Sequence, residues 1–313
     1  MGKATRAAFG EALVALAEKH PELVVLDADL SKSTMTQAFA KKYPERHFEM
    51  GIAEQNMIGV AAGLALSDKT PIITSFACFL IGRVETIRVS CAYNRTNVKL
   101  VGTHAGVGIG DDGTSQMGLE DVGAMRSLPH MTILQPADAA ETMQAVTWMI
   151  EHKGPVYIRL TRQAMDDVHG PDYKWELGKC DVLWEPAAKP KHFQATIFAT
   201  GGPVPSAMAA AKELEKRGFN ARVVNAGTLK PFDDEAVVRF SKDSERLVTV
   251  EDHNVIGGLG TAVCEAAAQK ALGVPVVKVG VRDFGESGLP AELYDKYGLS
   301  APHVVEACLR NLV

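Results

Sequence analysis

One carboxylate in this sequence stands out as a group that can do chemistry. Glu54 lies among small and apolar residues in segment 50–57, at a predicted junction between a strand and a helix. An acid in the first turn of a helix can simply stabilise the helix end. A carboxyl group that is excluded from water can also hold or exchange a proton near neutral pH. We therefore interpret Glu54 as either a helix-capping residue or an acid–base group.

The glycine-rich segment 104–121 is the second such feature. It follows a predicted strand and carries His104, Asp112 and Gln116. Ligands bind at this edge of open α/β sheets. Its glycines match the spacing of the dinucleotide-binding motif GxGxxG, but the carboxylates of Asp111 and Asp112 at its centre would repel a pyrophosphate. We therefore predict a ligand-binding loop that is not a dinucleotide site.

A set of polar side chains near predicted element ends suits the binding of an anion. Arg6, Ser33, His104 and Arg162 all fall in the first half of the chain. Each alone is typical of a solvated surface position. Together, two guanidinium groups, a hydroxyl and an imidazole are suitable partners for one phosphate dianion.

The overall composition limits the possible partners. The 313 residues include 33 Lys and Arg and 38 Asp and Glu, which gives a net charge of −5 and no broad cationic surface for nucleic acid or anionic lipid. No apolar stretch approaches the roughly 18 residues that cross a bilayer. The five widely spaced cysteines indicate neither a disulfide framework nor a zinc site, and we predict no metal ligand in this chain. We expect a soluble cytoplasmic protein, with neither nucleic acid nor membrane as partner.

The elements that must position these residues follow an α/β pattern. β-branched runs alternate with stretches of helical period, which is typical of βαβ units on a parallel sheet. In the first half, strands are predicted at residues 23–26, 71–75, 98–103, 131–135 and 156–160, with helices at 55–66, 84–93 and 139–150. In the second half, strands are predicted at 195–199, 221–225, 247–250 and 276–279.

Two consecutive α/β domains with parallel or mixed sheets account for this order. Between the two domains, prolines and glycines interrupt the hydrophobic periodicity of helices and strands. The predicted domains are residues 1–166 and 192–313, joined by a linker at 167–191 that contains one strand at most.

Several ordered motifs resemble the last two domains of transketolases. They are GIAEQNM at 51–57, TSFACF at 74–79, TH at 103–104, GDDG at 110–113, RSLP at 126–129, PAD at 136–138 and LTRQ at 160–163, followed more loosely by VEDH at 250–253 and GGLG at 257–260. The resemblance implies a domain that binds the pyrimidine of thiamin diphosphate, followed by the family's C-terminal domain. It gives no residue of the latter a catalytic role and implies that this domain stabilises a dimer.

The resemblance also implies roles for the residues around the cofactor. Glu54 matches the glutamate that hydrogen-bonds the thiamin aminopyrimidine, where a shared proton favours the imino tautomer that activates the cofactor. Phe79 matches the aromatic residue that stacks on the pyrimidine, and Phe76 lines the same pocket. Both rings can equally be ordinary core residues.

The substrate residues follow from the same resemblance. Arg6, Ser33, His104 and Arg162 match contacts to the sugar phosphate, and His104 is also expected to position the substrate or transfer a proton. Asp112 matches an aspartate that binds a hydroxyl of the donor sugar. Gln116 stands near the donor's C1 end, where several transketolases have histidine.

The chain lacks one pattern that the family needs. The diphosphate and its Mg²⁺ (or Ca²⁺) are held by a GDG motif followed some 25 to 30 residues later by Asn, and this pattern does not occur here. The resemblance therefore implies the C-terminal subunit of a split transketolase. Its partner would be an N-terminal subunit that carries the GDG and Asn residues, in a dimer of heterodimers. The implied reaction is transfer of a two-carbon ketol unit from a ketose phosphate to an aldose.

Three alternatives remain open. The β subunit of a 2-oxo acid dehydrogenase has the same pair of domains, but its substrate leaves the phosphate-binding set unexplained. A deoxyxylulose-phosphate synthase uses a phosphorylated acceptor but is normally one long chain. A non-catalytic subunit that has kept the fold would need neither a buried acid nor clustered cations.

Overall fold

The strands belong to two mainly parallel sheets. The structure is a computed structural model that describes residues 2–310. Its strands are β1 (Leu23–Asp27), β2 (His47–Glu49), β3 (Thr70–Phe76), β4 (Lys99–Thr103), β5 (Thr132–Leu134), β6 (Val156–Arg159), β7 (Asp181–Trp184), β8 (Ala195–Thr200), β9 (Ala221–Asn225), β10 (Thr228–Lys230), β11 (Leu247–Asn254) and β12 (Val276–Val281).

The strand order separates the two sheets. The first has the order β10-β5-β6-β4-β3-β1-β2, and the second has the order β12-β11-β8-β9-β7. All pairs are parallel except β10 with β5 and β7 with β9. The predicted fold class, two α/β domains with parallel or mixed sheets, is therefore confirmed.

Helices connect the strands, as parallel pairing requires. They are α1 (Thr5–Leu16), α2 (Gln37–Lys42), α3 (Glu54–Ala65), α4 (Ala77–Ile81), α5 (Val84–Ile87), α6 (Asp121–Ser127), α7 (Ala139–Glu151), α8 (Val204–Lys216), α9 (Asp234–Ser241), α10 (Leu259–Gln269), α11 (Pro290–Lys296) and α12 (Ala301–Leu309). Short 3₁₀ turns occur at Pro44–Arg46, Val107–Ile109 and Thr114–Gln116. No helix among residues 2–310 combines the length and the apolar character needed to span a membrane.

One apolar core is continuous between the two halves. It contains Met125 and Ile133 from the first half together with Leu229 and Val237 from the second, all almost completely buried. The burial of these side chains stabilises the contact between halves by the hydrophobic effect. The two sheets are therefore joined by packing as well as by the linker.

Some elements differ from the sequence predictions. The three-residue strands β2 and β10 were missed because so short a run shows no period. The predicted helix at 84–93 is α5 followed by a π-helical turn at Arg88–Tyr93. Strand β7 lies inside the predicted linker and completes the edge of the second sheet. Strand β10, from the predicted second domain, pairs with β5 of the first sheet, and the domain boundaries stay a prediction.

Candidate active site

Most predicted site residues lie at the carboxyl edge of the first sheet. Ser33 follows β1, Glu54 follows β2, Phe76 ends β3, His104 follows β4 and Arg162 follows β6. Parallel strands end at the same side of a sheet, so residues that are distant in sequence meet there. The alternation of strands and helices thus brings the chemistry-bearing residues to one edge.

Arg6 reaches this edge from the first turn of α1. Its Nη1 donates to the Ser33 carbonyl oxygen at 2.7 Å and to His104 Nε2 at 2.9 Å. The loop of Ser33 is held by the fully buried Asp27, which accepts hydrogen bonds from the Leu30 amide and the Thr34 hydroxyl. One guanidinium group therefore connects three separate segments of the site.

The contacts of His104 define its tautomer. Arginine only donates, so Nε2 accepts from Arg6 and the ring proton sits on Nδ1. Nδ1 lies 2.9 Å from Thr103 Oγ1, which in turn donates to the Ser75 carbonyl at 3.4 Å. Burial, with the charges of Arg6 and Arg162, lowers the pKa of His104 to about 3. The imidazole is neutral at pH 7, and its Nε2 lone pair accepts the hydrogen bond from Arg6.

Arg162 contributes the second guanidinium group. Its Nη1 donates to the Ile109 carbonyl at 2.8 Å, and its Nε lies 3.8 Å from Asp112 Oδ2. The side chains of Arg162 and Asp112 are 34% and 37% exposed, so both face solvent. Burial, followed by the repulsion of Arg162, lowers the pKa of Arg6. Because both arginines line the same cavity, their charges favour the binding of an anion there.

The glycine-rich loop is held by the second half of the chain. The carboxylate of Asp252, on β11, accepts hydrogen bonds from the backbone amides of Val107 at 2.8 Å and Gly108 at 3.0 Å. Gly106 has φ 82° and lies so close to the Asp252 carboxylate that a Cβ would collide with it. Asp252 therefore fixes the loop that carries Asp112 and Gln116.

One cavity collects all six predicted substrate residues. Its volume is about 430 Å³, and it is lined by Arg6, Ser33, Phe76, His104, Asp112, Gln116 and Arg162. The neighbouring Phe76 ring stacks on His104 with centroids 3.7 Å apart. The polar groups thus surround one opening that has an aromatic wall.

Glu54 is the first residue of α3 and is 6% exposed. Its Oε1 accepts from Ser75 Oγ at 3.0 Å, the only hydrogen bond to this carboxylate among the described residues. A cavity of about 590 Å³ is lined by Glu54, Ile52, Arg83 and Thr86, with neighbouring residues of the same segments. A buried carboxylate with one oxygen unbonded beside a cavity fits the nitrogen of an aminopyrimidine.

The two predicted aromatic residues lie side by side. The Phe79 ring, in α4, stacks on the Phe76 ring with centroids 5.4 Å apart. Phe79 is half-buried, whereas Phe76 is 6% exposed. Their role towards a pyrimidine stays a prediction.

Three residues that hold the site were missed at the sequence level. Ser75 lies in the buried strand β3 and Thr103 ends the buried strand β4, and at the sequence level both are typical of polar core positions. Asp252 lies in the 250–253 motif that carried the resemblance, but more than 140 residues separate it from the loop that it holds. No spacing rule could connect them.

A larger cavity lies at the opposite edge of the sheet. It measures about 900 Å³ and includes Thr70, Asn97 and Pro155, at the amino ends of β3, β4 and β6. None of the predicted site residues lines it. Because the convergent polar groups are at the carboxyl edge, that edge is the candidate active site.

Comparison with known protein families covers most of the chain. Residues 1–167 match the model described as transketolase, pyrimidine binding domain. Residues 188–304 match the model described as transketolase, C-terminal domain.

Individual relatives agree with these matches. The chain is 42% identical over 314 residues to a Methanocaldococcus jannaschii protein named as a transketolase C-terminal section, covering 99% of this chain and 96% of that protein. It is 41% identical to the 6-deoxy-6-sulfo-D-fructose transketolase subunit SqwH of Clostridium sp. (strain MSTE9), covering 96% and 92%. A solved structure described as a split gene transketolase, inactive beta4 tetramer, is 47% identical, with a TM-score of 0.87 and 99% and 98% coverage. By sequence and by fold, this chain belongs to the transketolase family.

Proposed function

We propose that this chain is the C-terminal subunit of a split transketolase. It would transfer a two-carbon ketol unit from a ketose phosphate to an aldose, using thiamin diphosphate, together with an N-terminal partner subunit. The observation that carries the proposal is the convergence of Arg6, Ser33, His104 and Arg162 on one cavity at the edge that also holds Glu54. The anion-binding side chains suit a phosphorylated substrate. The buried acid suits a cofactor that is activated by proton exchange.

Each polar residue of the cavity has a role in this proposal, and that of His104 is to position the substrate or to transfer a proton. Arg6 and Arg162 bind the terminal phosphate, and Ser33 adds its hydroxyl. Asp112 accepts a hydrogen bond from a hydroxyl of the donor sugar. Gln116 lies near the C1 end of that sugar. Holding a substrate at several points places its reacting carbons reproducibly, which is a large part of catalysis.

Glu54 acts on the cofactor. Thiamin diphosphate, when bound, supplies the carbanion stabilisation that breaking a ketol carbon–carbon bond requires. The Glu54 carboxyl would hold a proton at the pyrimidine nitrogen, while Ser75 fixes its orientation. The diphosphate and its metal ion would be held by the partner subunit. Ile52, 85% exposed beside the Glu54 cavity, is an apolar side chain suited to contact with that subunit.

The relatives support assembly from separate chains. The solved relative is described as a split gene transketolase and as an inactive tetramer of its β chain. We infer that the present chain is likewise inactive alone and gains activity with an N-terminal subunit. The Clostridium relative is named for a sulfonated sugar. We commit to phosphate here, because two guanidinium groups match a dianion better than a monoanion.

The test starts with the partner. The chain is used to capture co-purifying proteins from its own cell extract, and a stoichiometric partner that contains GDG and a downstream Asn is co-expressed with it. The purified complex should transfer a two-carbon unit from a ketose phosphate to an aldose phosphate, and should be slower with a 6-deoxy-6-sulfo ketose. Oxidative decarboxylation of a 2-oxo acid would instead assign a dehydrogenase subunit. Condensation of pyruvate with an aldose phosphate would assign a synthase.

A variant separates catalysis from scaffolding. Glu54→Gln should reduce turnover by at least a hundredfold while the complex still assembles, because the amide cannot exchange the proton. Glu18→Gln, an exposed glutamate on the same domain, is the matched control and should retain full activity. Unchanged turnover in Glu54→Gln would show that the chain is a non-catalytic subunit.

A further inference from the structure

A second group of polar side chains lies away from the active site, where the two sheets meet. Glu141 is in the first turn of α7, His169 is in the segment between the sheets, and Asp181 begins β7. One potential ligand atom from each residue lies within 4.8 Å of the other two. The three residues therefore come from the first domain, the linker and the second sheet.

The imidazole of His169 is held in a defined orientation. Its Nδ1 lies 2.9 Å from Asp138 Oδ2, which also accepts the backbone amides of Val168 and His169. A carboxylate only accepts, so Nδ1 donates and Nε2 is the ring atom left over. A carboxylate that orients a histidine in this way is the usual outer partner of a metal-binding imidazole.

The remaining nitrogen of His169 has no partner. Nε2 is buried without a hydrogen bond, and the His169 side chain is only 2% exposed. Asn225 Oδ1 is also buried and unbonded, although its Nδ2 donates to both oxygens of Glu141. Buried polar atoms nearly always have a hydrogen-bond partner or another ligand. An unpaired ring nitrogen in a cluster with two acids therefore fits a cation that all three side chains can bind.

We propose that Glu141, His169 and Asp181 form a binding site for one divalent metal ion, with Zn²⁺ as the best match. Imidazole nitrogen and carboxylate oxygen are both zinc ligands, and three protein ligands leave the fourth position of a tetrahedral site to water. In a tetrahedral zinc site with bonds of about 2.1 Å, ligand atoms are roughly 3.4 Å apart. The side chains here would close by about 1.4 Å at most.

The site would fasten the junction of the two domains. Tyr173 already links its two acids, since its hydroxyl lies 2.8 Å from Asp181 Oδ2 and 3.3 Å from Glu141 Oε1, while its ring stacks on His169. A metal ion would add bonds between α7, the linker and β7. The proposal is independent of the function proposed above, because none of these residues lines the active-site cavity.

Metal binding by the whole chain alone tests the proposal. The purified chain is stripped with a chelator, dialysed against Zn²⁺ and analysed for metal content. About one Zn²⁺ per chain is expected, and His169→Gln should weaken binding at least tenfold. His192→Gln, a histidine whose side chain is 60% exposed outside the cluster, should leave binding unchanged.

Two further measurements remove ambiguity. Asp181→Asn should also weaken Zn²⁺ binding, which guards against a His169→Gln variant that does not fold. The Co²⁺-substituted chain should show no sulfur-to-metal charge-transfer absorption, because no cysteine belongs to the proposed site. A wild-type chain that takes up no Zn²⁺, equal Zn²⁺ binding by His169→Gln, or a thiolate absorption band would each overturn the proposal.

Discussion

Binding of a dianion in the Arg6–Arg162 cavity should be coupled to uptake of a proton by His104. The unliganded imidazole accepts a hydrogen bond from Arg6 through Nε2, so this nitrogen carries no hydrogen that it could donate to an entering anion. Burial comes first among the causes of its pKa near 3, and the two arginines follow. A bound dianion compensates both arginine charges and thus favours the imidazolium, which can donate Nε2–H to the anion.

The magnitude follows from the two pKa values. If the bound dianion pairs directly with the imidazolium, so that it offsets the cost of burial as well as the arginine charges and returns the pKa of His104 from about 3 to its ordinary 6.5, the ring takes up about 0.8 proton at pH 6 and about 0.1 proton at pH 7.5. Because the pKa is higher in the bound state, binding is stronger at low pH. The affinity should fall about fourfold between pH 6 and pH 7.5.

Sulfate is the suitable probe, because it stays a dianion throughout this range. Isothermal titration calorimetry in two buffers of different ionisation enthalpy measures the protons taken up at each pH. His104→Gln keeps both arginines and should bind sulfate without proton uptake. No uptake by the wild-type chain at pH 6, or equal uptake by His104→Gln, would refute this account of His104.

Three further predictions concern residues that hold the site or the fold. Ser75→Ala removes the hydrogen bond to Glu54, worth about 1 kcal/mol, so the reconstituted enzyme should need roughly fivefold more thiamin diphosphate for half-maximal rate; an unchanged requirement contradicts the positioning role. Asp252→Asn weakens the hold on the glycine-rich loop and should raise the KM for the donor sugar roughly tenfold, and a change in kcat alone would argue against it. Lys99→Met leaves three half-buried carbonyl acceptors without their ammonium donor and should lower the free energy of unfolding, measured by urea denaturation, by about 3 kcal/mol, whereas the exposed Lys69→Met should have no effect.

Local patterns were sufficient for most of the fold. The predicted strands at 221–225 and 156–160 agree with β9 and β6 to within one residue, because their buried runs are β-branched and clearly bounded. Strand β10 escaped prediction because three residues carry no periodicity and its partner, β5, lies almost a hundred residues earlier. Pairing over such a distance is decided by packing, which no local window contains.

The candidate site was predictable in part. Arg6, Ser33, His104 and Arg162 could be identified by the resemblance, and the parallel topology explains why they meet. Their hydrogen bonds could not be foreseen, including the contact through which Arg6 determines the tautomer of His104. The role of Asp252 could not be foreseen either, because the second domain was expected to contribute only to dimer stability.

Strand β10 has a consequence for how this chain can be divided. It covers the β5 edge of the first sheet, where Lys230 Nζ also donates to the carbonyls of Arg126 and Leu128. A fragment that ended at residue 167 would expose this edge and the apolar side chains beneath it, and uncovered edges pair with other chains. The first family domain therefore depends on a strand from the second to cover its sheet edge, so a cut between the two domains would leave the first without part of its own sheet.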